Sequence, residues 1–125
     1  MSAVEIWEKN KSSKPKIVVL EIGRPVLDAV KAQLIESYGG ELFEVIQEHR
    51  AISELEIPEI AKKAYNAIRR ASADGSEVWL VLSGPLGLAF TLGQLVGIGH
   101  FRVVCYQFSG GVYRPIPPPT RSLLF

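Results

Sequence analysis

The stretch that decides the fold is Glu77-Val78-Trp79-Leu80-Val81-Leu82-Ser83-Gly84-Pro85-Leu86, an apolar run that stops abruptly at a serine, a glycine and a proline. A short run of this composition makes a strand buried on both faces, and a proline just behind the break suits the first turn of a helix. Asp74-Gly75 turns the chain into this unit. Leu86 to Val96 follows with Leu88, Ala89, Phe90, Leu92 and Leu95, apolar almost all round. Such a helix is either fully buried or covered by a partner subunit. The Ser83-Gly84-Pro85 break, with Gly87 and Gly93 beyond it, makes strand then helix a better account of Val78–Val96 than a membrane span.

Upstream, Ile17-Val18-Val19-Leu20-Glu21-Ile22 is a second β-branched run, closed by Gly23-Arg24-Pro25. Val26, Leu27, Val30, Leu34 and Ile35 then fall at helical spacing until Gly39-Gly40. Leu42-Phe43-Glu44-Val45-Ile46 predicts another strand, with Glu48-His49-Arg50 leading out of it, and Pro58 to about Ala71 predicts a helix. Downstream, Arg102 to Phe108 predicts the fourth strand, Ser109-Gly110-Gly111 a turn and Val112 to Ile116 a short returning edge strand.

Strands alternating with helices require crossover connections. The expected fold is therefore α/β: a Rossmann-like, open, mainly parallel sheet flanked by helices, with a C-terminal β-hairpin. One domain over residues 17–116 accounts for these elements. Residues 1–16 are expected to be a flexible leader or, through Val4 and Ile6, an edge strand, and residues 117–125 a proline-rich tail.

The 125 residues carry 47% hydrophobic side chains, a formal net charge of +1 and a single cysteine. That charge gives no field for holding long duplex nucleic acid, although a small anion needs only a few donors at one point. Cys105 has no partner for an internal disulfide, and the start Met1-Ser2-Ala3-Val4-Glu5 lacks the basic and apolar regions of a signal peptide. A cytoplasmic protein without membrane attachment is the expectation.

In a sheet of this kind, ligands bind beyond the carboxyl ends of the strands, where strand order reverses. That rule selects Gly23, Arg24 and Pro25 after the first strand, His49 and Arg50 after the second, Ser83, Gly84 and Pro85 after the third, and Gln107 and Ser109 at the end of the fourth. Ser83-Gly84-Pro85 either holds an anion at the helix start or merely caps and turns the helix. Arg24 either faces that anion or is an ordinary surface arginine. His49 and His100 are either general bases or plain loop histidines. Arg102 belongs to the opposite edge, and Cys105 fits a core strand better than a nucleophile. No Gly-x-Gly-x-x-Gly, phosphate-loop or Gly-x-Ser-x-Gly pattern is present. Neither a metal nor another cofactor is expected, since no His, Cys or carboxylate set has ligand spacing.

From Val78 through Ile116, the order apolar strand, Ser83-Gly84-Pro85, a helix with Leu88-Ala89 and Leu92-Gly93, a strand ending Tyr106-Gln107-Phe108, then Tyr113-Arg114-Pro115, resembles the CRISPR-associated Rossmann-like (CARF) and SAVED sensor domains. Those domains bind cyclic oligonucleotides, and small stand-alone members bind cyclic oligoadenylate and in some cases degrade it as ring nucleases. The resemblance implies a homodimer holding cyclic oligoadenylate on Gly23, Arg24, Ser83, Gly84 and Pro85, with Gln107 beside them. In a metal-dependent branch of the ring nucleases an acidic residue follows the tyrosine matched here by Tyr106. Gln107 stands in that place, which counts against that metal-assisted chemistry. The resemblance implies a type III antiviral role in which the messenger is lowered by sequestration, by metal-independent cleavage or by both. Two further readings are a protein-interaction module docking through the apolar third helix and Leu123-Leu124-Phe125, and an unrelated small-nucleotide or acyl-transfer enzyme using Ser83.

Overall fold

The computed structural model describes residues 14–99 and 101–117. The first element, β1 (Lys16–Ile22), is followed by α1, an α-helical turn at Leu27–Val30 that continues as a π-helix over Lys31–Ser37. Then come β2 (Glu41–Glu48), a 3-10 turn at Glu54–Glu56, α2 (Ile57–Ala71), β3 (Val78–Ser83), α3 (Leu86–Gly97), β4 (Val103–Ser109) and β5 (Val112–Pro115). The five strands form one sheet in the order β2-β1-β3-β4-β5. All neighbours are parallel except β4 and β5, the expected hairpin.

The sheet is filled from both faces because successive strand residues point to opposite sides. Val18, Leu20, Ile22 and Leu80 pack with Ile60, Ala64 and Ile68 of α2 and with Leu88 and Leu92 of α3. Ile17, Val19, Trp79, Val81 and Tyr106 pack with Val30 and Leu34 of α1. The result is a three-layer α/β/α arrangement in which β1 lies between β2 and β3, with Val19 opposite both Val45 and Val81.

Two helices show features that spacing left open. The first lies where helical spacing placed it, but beyond Val30 its turns widen, and the Tyr38 N–H bonds the Gln33 carbonyl at 3.1 Å, five residues back. The buried pair Val30 and Leu34 satisfies the apolar stripe in either geometry, so spacing did not distinguish them. Of the two alternatives for the third helix, full burial within the chain does not hold. Leu88 and Leu92 are covered, whereas Leu86 is 88% and Phe90 70% exposed.

No helix among the described residues is long and apolar enough to cross a membrane. The leader at 1–13, His100 and the tail from Pro118, including Leu123-Leu124-Phe125, lie outside the described residues.

Candidate functional site

The chain crosses from one side of β1 to the other between β2 and β3, so the strand order reverses at β1 and β3. Their carboxyl ends part there, which is the crevice position of this fold. Arg24, Pro25, Ser83, Gly84 and Gln107 line one open groove of about 690 Å3 at this place, together with Leu86, Cys105, Tyr106, Phe108, Tyr113 and Ile116. Gly23 and Pro85 are adjacent in sequence but form no part of its wall.

The loop after β1 is built by three constraints. Gly23 adopts φ +91, a conformation rare for other residues, and its N–H bonds the Glu48 carbonyl at 2.7 Å. Glu21, only 1% exposed, turns its carboxylate up beneath the loop. One oxygen accepts the backbone N–H groups of Val26 at 2.9 Å and Leu27 at 3.0 Å. The other receives the Gln47 amide at 3.4 Å and the His49 Nε2. Glu21 thus satisfies donors at the start of α1, where Val26 has no polar side chain to do so. Burial pushes its pKa up, but the hydrogen bonds from Val26, His49 and Leu27 and the charge of His49 outweigh that and leave it below the ordinary carboxylate value.

Ser83 lies opposite Glu21 in the β1–β3 pairing, and its hydroxyl donates to the Arg24 carbonyl at 3.4 Å. No side-chain hydrogen bond caps α3, whose N-cap position is Pro85 in extended conformation. The serine therefore bridges the two loops instead of capping the helix, which removes that part of the plain structural reading. Gly84 allows the loops to close up, since a Cβ there would stand 3.1 Å from the Ile22 Cβ. With Arg24 exposed above, the groove offers a guanidinium, a hydroxyl and the N-terminal end of a helix, a set suited to an anion.

The other nominated residues sort by position. His49 is at the right edge, but its Nε2 is engaged by Glu21. Arg50 is held by Glu56 and by Glu48, the latter at 3.4 Å. Arg102 pairs with Glu77 at 3.3 Å beside the amino end of β3, the edge expected for it. Cys105 is half-buried in the groove wall and burial pushes its thiol pKa up, as for an inert core cysteine. No cluster of three His, Cys, Asp or Glu side chains able to hold a metal occurs among the described residues.

Glu21 and the aromatic wall were missed by sequence reasoning. A lone carboxylate inside a β-branched run was the available signal for Glu21. Tyr106 and Tyr113 are buried, and Tyr113 stacks edge-on to Phe108 with centroids 5.2 Å apart.

A mainly parallel sheet flanked by helices, with an anion-suited groove at its reversal point, defines a Rossmann-like α/β domain with a candidate ligand site. Residues 3–116 match the SAVED family, the SMODS-associated and fused to various effectors sensor domain, and the chain belongs to that family. Among solved structures it is similar to the Acinetobacter baumannii Cap4 SAVED/CARF-domain containing receptor with the cyclic trinucleotide 2′3′3′-cAAA, with a TM-score of 0.66 and 18% identity over 82% of this chain and 24% of the receptor chain. The same receptor with 3′3′3′-cAAA gives a TM-score of 0.65 and 19% identity over 83% of this chain and 25% of that one. The chain thus spans about a quarter of the receptor's length. No curated protein sequence gives a significant match.

Proposed function

We propose that this domain binds a cyclic oligoadenylate in the groove between the β1 and β3 loops. The observation that carries the reading is the convergence of Arg24, Pro25, Ser83, Gly84 and Gln107 in one groove at the strand-order reversal of a SAVED-family domain. The similar receptor solved with cyclic trinucleotides supports it. Arg24 and the start of α3 would hold phosphate, and Ser83 and Gln107 would bond sugar or base edges.

The groove is open, Leu86 of its lining is exposed, and Phe90, one turn further along α3, is exposed as well. Both fit a homodimer in which a second copy faces the ligand. In a cytoplasmic type III CRISPR setting such a dimer lowers the messenger by sequestering it or by slow opening. Opening requires no metal: the ligand's own 2′-hydroxyl attacks the adjacent phosphorus, leaving a 2′,3′-cyclic phosphate and a free 5′-hydroxyl. The protein supplies alignment and charge stabilisation. The same exposed α3 face favours a second reading, a module that docks another protein.

Mass spectrometry of nucleotides released from the purified protein, followed by titration with cyclic tri- and tetra-adenylate, tests the reading. Saturable binding with light scattering at twice the chain mass is expected. Absence of any bound or titratable ring would remove it in favour of the docking module, and an excess of linear product over time would separate cleavage from sequestration.

A further inference from the structure

We propose that Phe108 is the surface on which a nucleobase of the bound ring stacks, favouring purine bases through their larger stacking face. The inference rests on the cyclic-nucleotide reading above and adds what recognises the base.

Phe108, in the last turn-ward part of β4, is 55% exposed and belongs to neither of the two core clusters. A phenylalanine left that open forgoes the gain of burial that its neighbours take. Its position is nevertheless tightly fixed. Phe108 pairs with Tyr113 across the hairpin, and their rings meet at 63°. Tyr113 is 3% exposed, and its N–H bonds the Gln33 side-chain oxygen at 2.6 Å. The Gln33 amide in turn donates to the Gly111 carbonyl at 3.2 Å, so α1 holds the hairpin from the side. An aromatic ring carried by a braced hairpin, with much of its surface open toward a groove, is a preorganised stacking platform.

The groove lining is mixed accordingly. Arg24 and Ser83 bring charge and hydroxyl to it, and Leu86, Phe108 and Ile116 bring apolar surface. A phosphate alone uses the first set only. A nucleotide uses both, because its base has an apolar face as well as polar edges.

The test compares affinities for cyclic triadenylate and cyclic triuridylate in the parent, Phe108→Ala and Phe108→Tyr, with light scattering and thermal melts alongside. The parent is expected to favour the adenylate ring. Phe108→Ala should weaken it by about tenfold while changing the uridylate ring by less than about threefold, and Phe108→Tyr should retain the preference. Equal losses for both rings, no loss for either, or loss of dimer mass in Phe108→Ala would overturn the assignment while leaving cyclic-nucleotide binding intact. A parent that binds neither ring would instead remove the proposed function and this inference together.

Discussion

β1 and the β4–β5 hairpin belong to one sheet but are built to opposite requirements. In β1 every residue from Ile17 to Ile22 is buried, including the charged Glu21. In β5 Tyr113 alone is buried, and β4 is exposed from Gln107 onward. The centre of the sheet has helices on both faces and neighbouring strands on both edges. Among the described residues the hairpin has one edge unpaired, and the groove lies beside it. Stability should therefore concentrate in β1 and β3, and recognition in the loops and the hairpin. Substitutions can break that division or sharpen it.

The largest effect is expected at the centre. Leu20 is fully buried between α2, α3 and the sheet, so Leu20→Ala removes packing and leaves a cavity. A loss of about 2–5 kcal/mol of unfolding free energy is expected by chemical denaturation. Phe108→Ala should barely move the same transition. Equal losses at the two sites would end the division between core and hairpin.

At the groove, Arg24→Ala should leave the melting transition near that of the parent, because Arg24 is exposed and its carbonyl, not its side chain, bonds Ser83. Losing a charge-assisted contact with phosphate should cost about 1.5–3 kcal/mol of binding, roughly ten- to a hundredfold in affinity. Titration calorimetry checks this. Unchanged affinity would move the anion away from the β1 loop.

The sheet was legible because its signals are local: β-branched runs, Pro and Gly breaks, and alternation of strand with helix. The groove was legible because a topological rule converts strand order into an edge, and Arg24, Ser83 and Gln107 follow from chain position alone. Glu21 was hidden for the opposite reason. Its partners are Gln47 in β2 and His49 just past its end, and its other contacts are backbone N–H groups, so its role exists only after β1 and β2 pair. The bare outer face of α3 was equally unreadable, since an all-apolar helix has no polar side to mark which face the sheet leaves open.

Glu21 also yields a pH test of intermediate size. Its pKa is lower folded than unfolded, so its stabilising contribution is complete above the ordinary carboxylate range and is lost as pH falls through the depressed value. Glu21→Gln keeps an acceptor for Val26 and Leu27 but removes the charge, and should cost roughly 1–2 kcal/mol near neutrality. Melting temperatures across the acid range should then converge for variant and parent at the lowest pH. Curves that stay parallel would show that the carboxylate does not stay ionised beneath the loop.

The smallest effect is expected at Ser83, and its size separates two chemistries. The hydroxyl's bond to the Arg24 carbonyl is long at 3.4 Å, so removing it should lower stability by less than about 0.5 kcal/mol. A sugar or phosphate contact made by the same hydroxyl should be worth on the order of 1 kcal/mol, about fivefold in affinity. Ser83→Ala is therefore expected to bind cyclic triadenylate slightly more weakly than the parent, and more tightly than Arg24→Ala. Any ring opening should continue at a reduced rate, because the attacking oxygen belongs to the ligand and not to the serine. A serine acting as nucleophile predicts the reverse, near-normal binding with complete loss of turnover and of any covalent adduct seen by intact-protein mass spectrometry. Among the described residues the Ser83 hydroxyl bonds a backbone carbonyl and neither a carboxylate nor an imidazole. An unactivated hydroxyl is a poor nucleophile at neutral pH, so the modest, binding-centred loss is the outcome that the site chemistry favours.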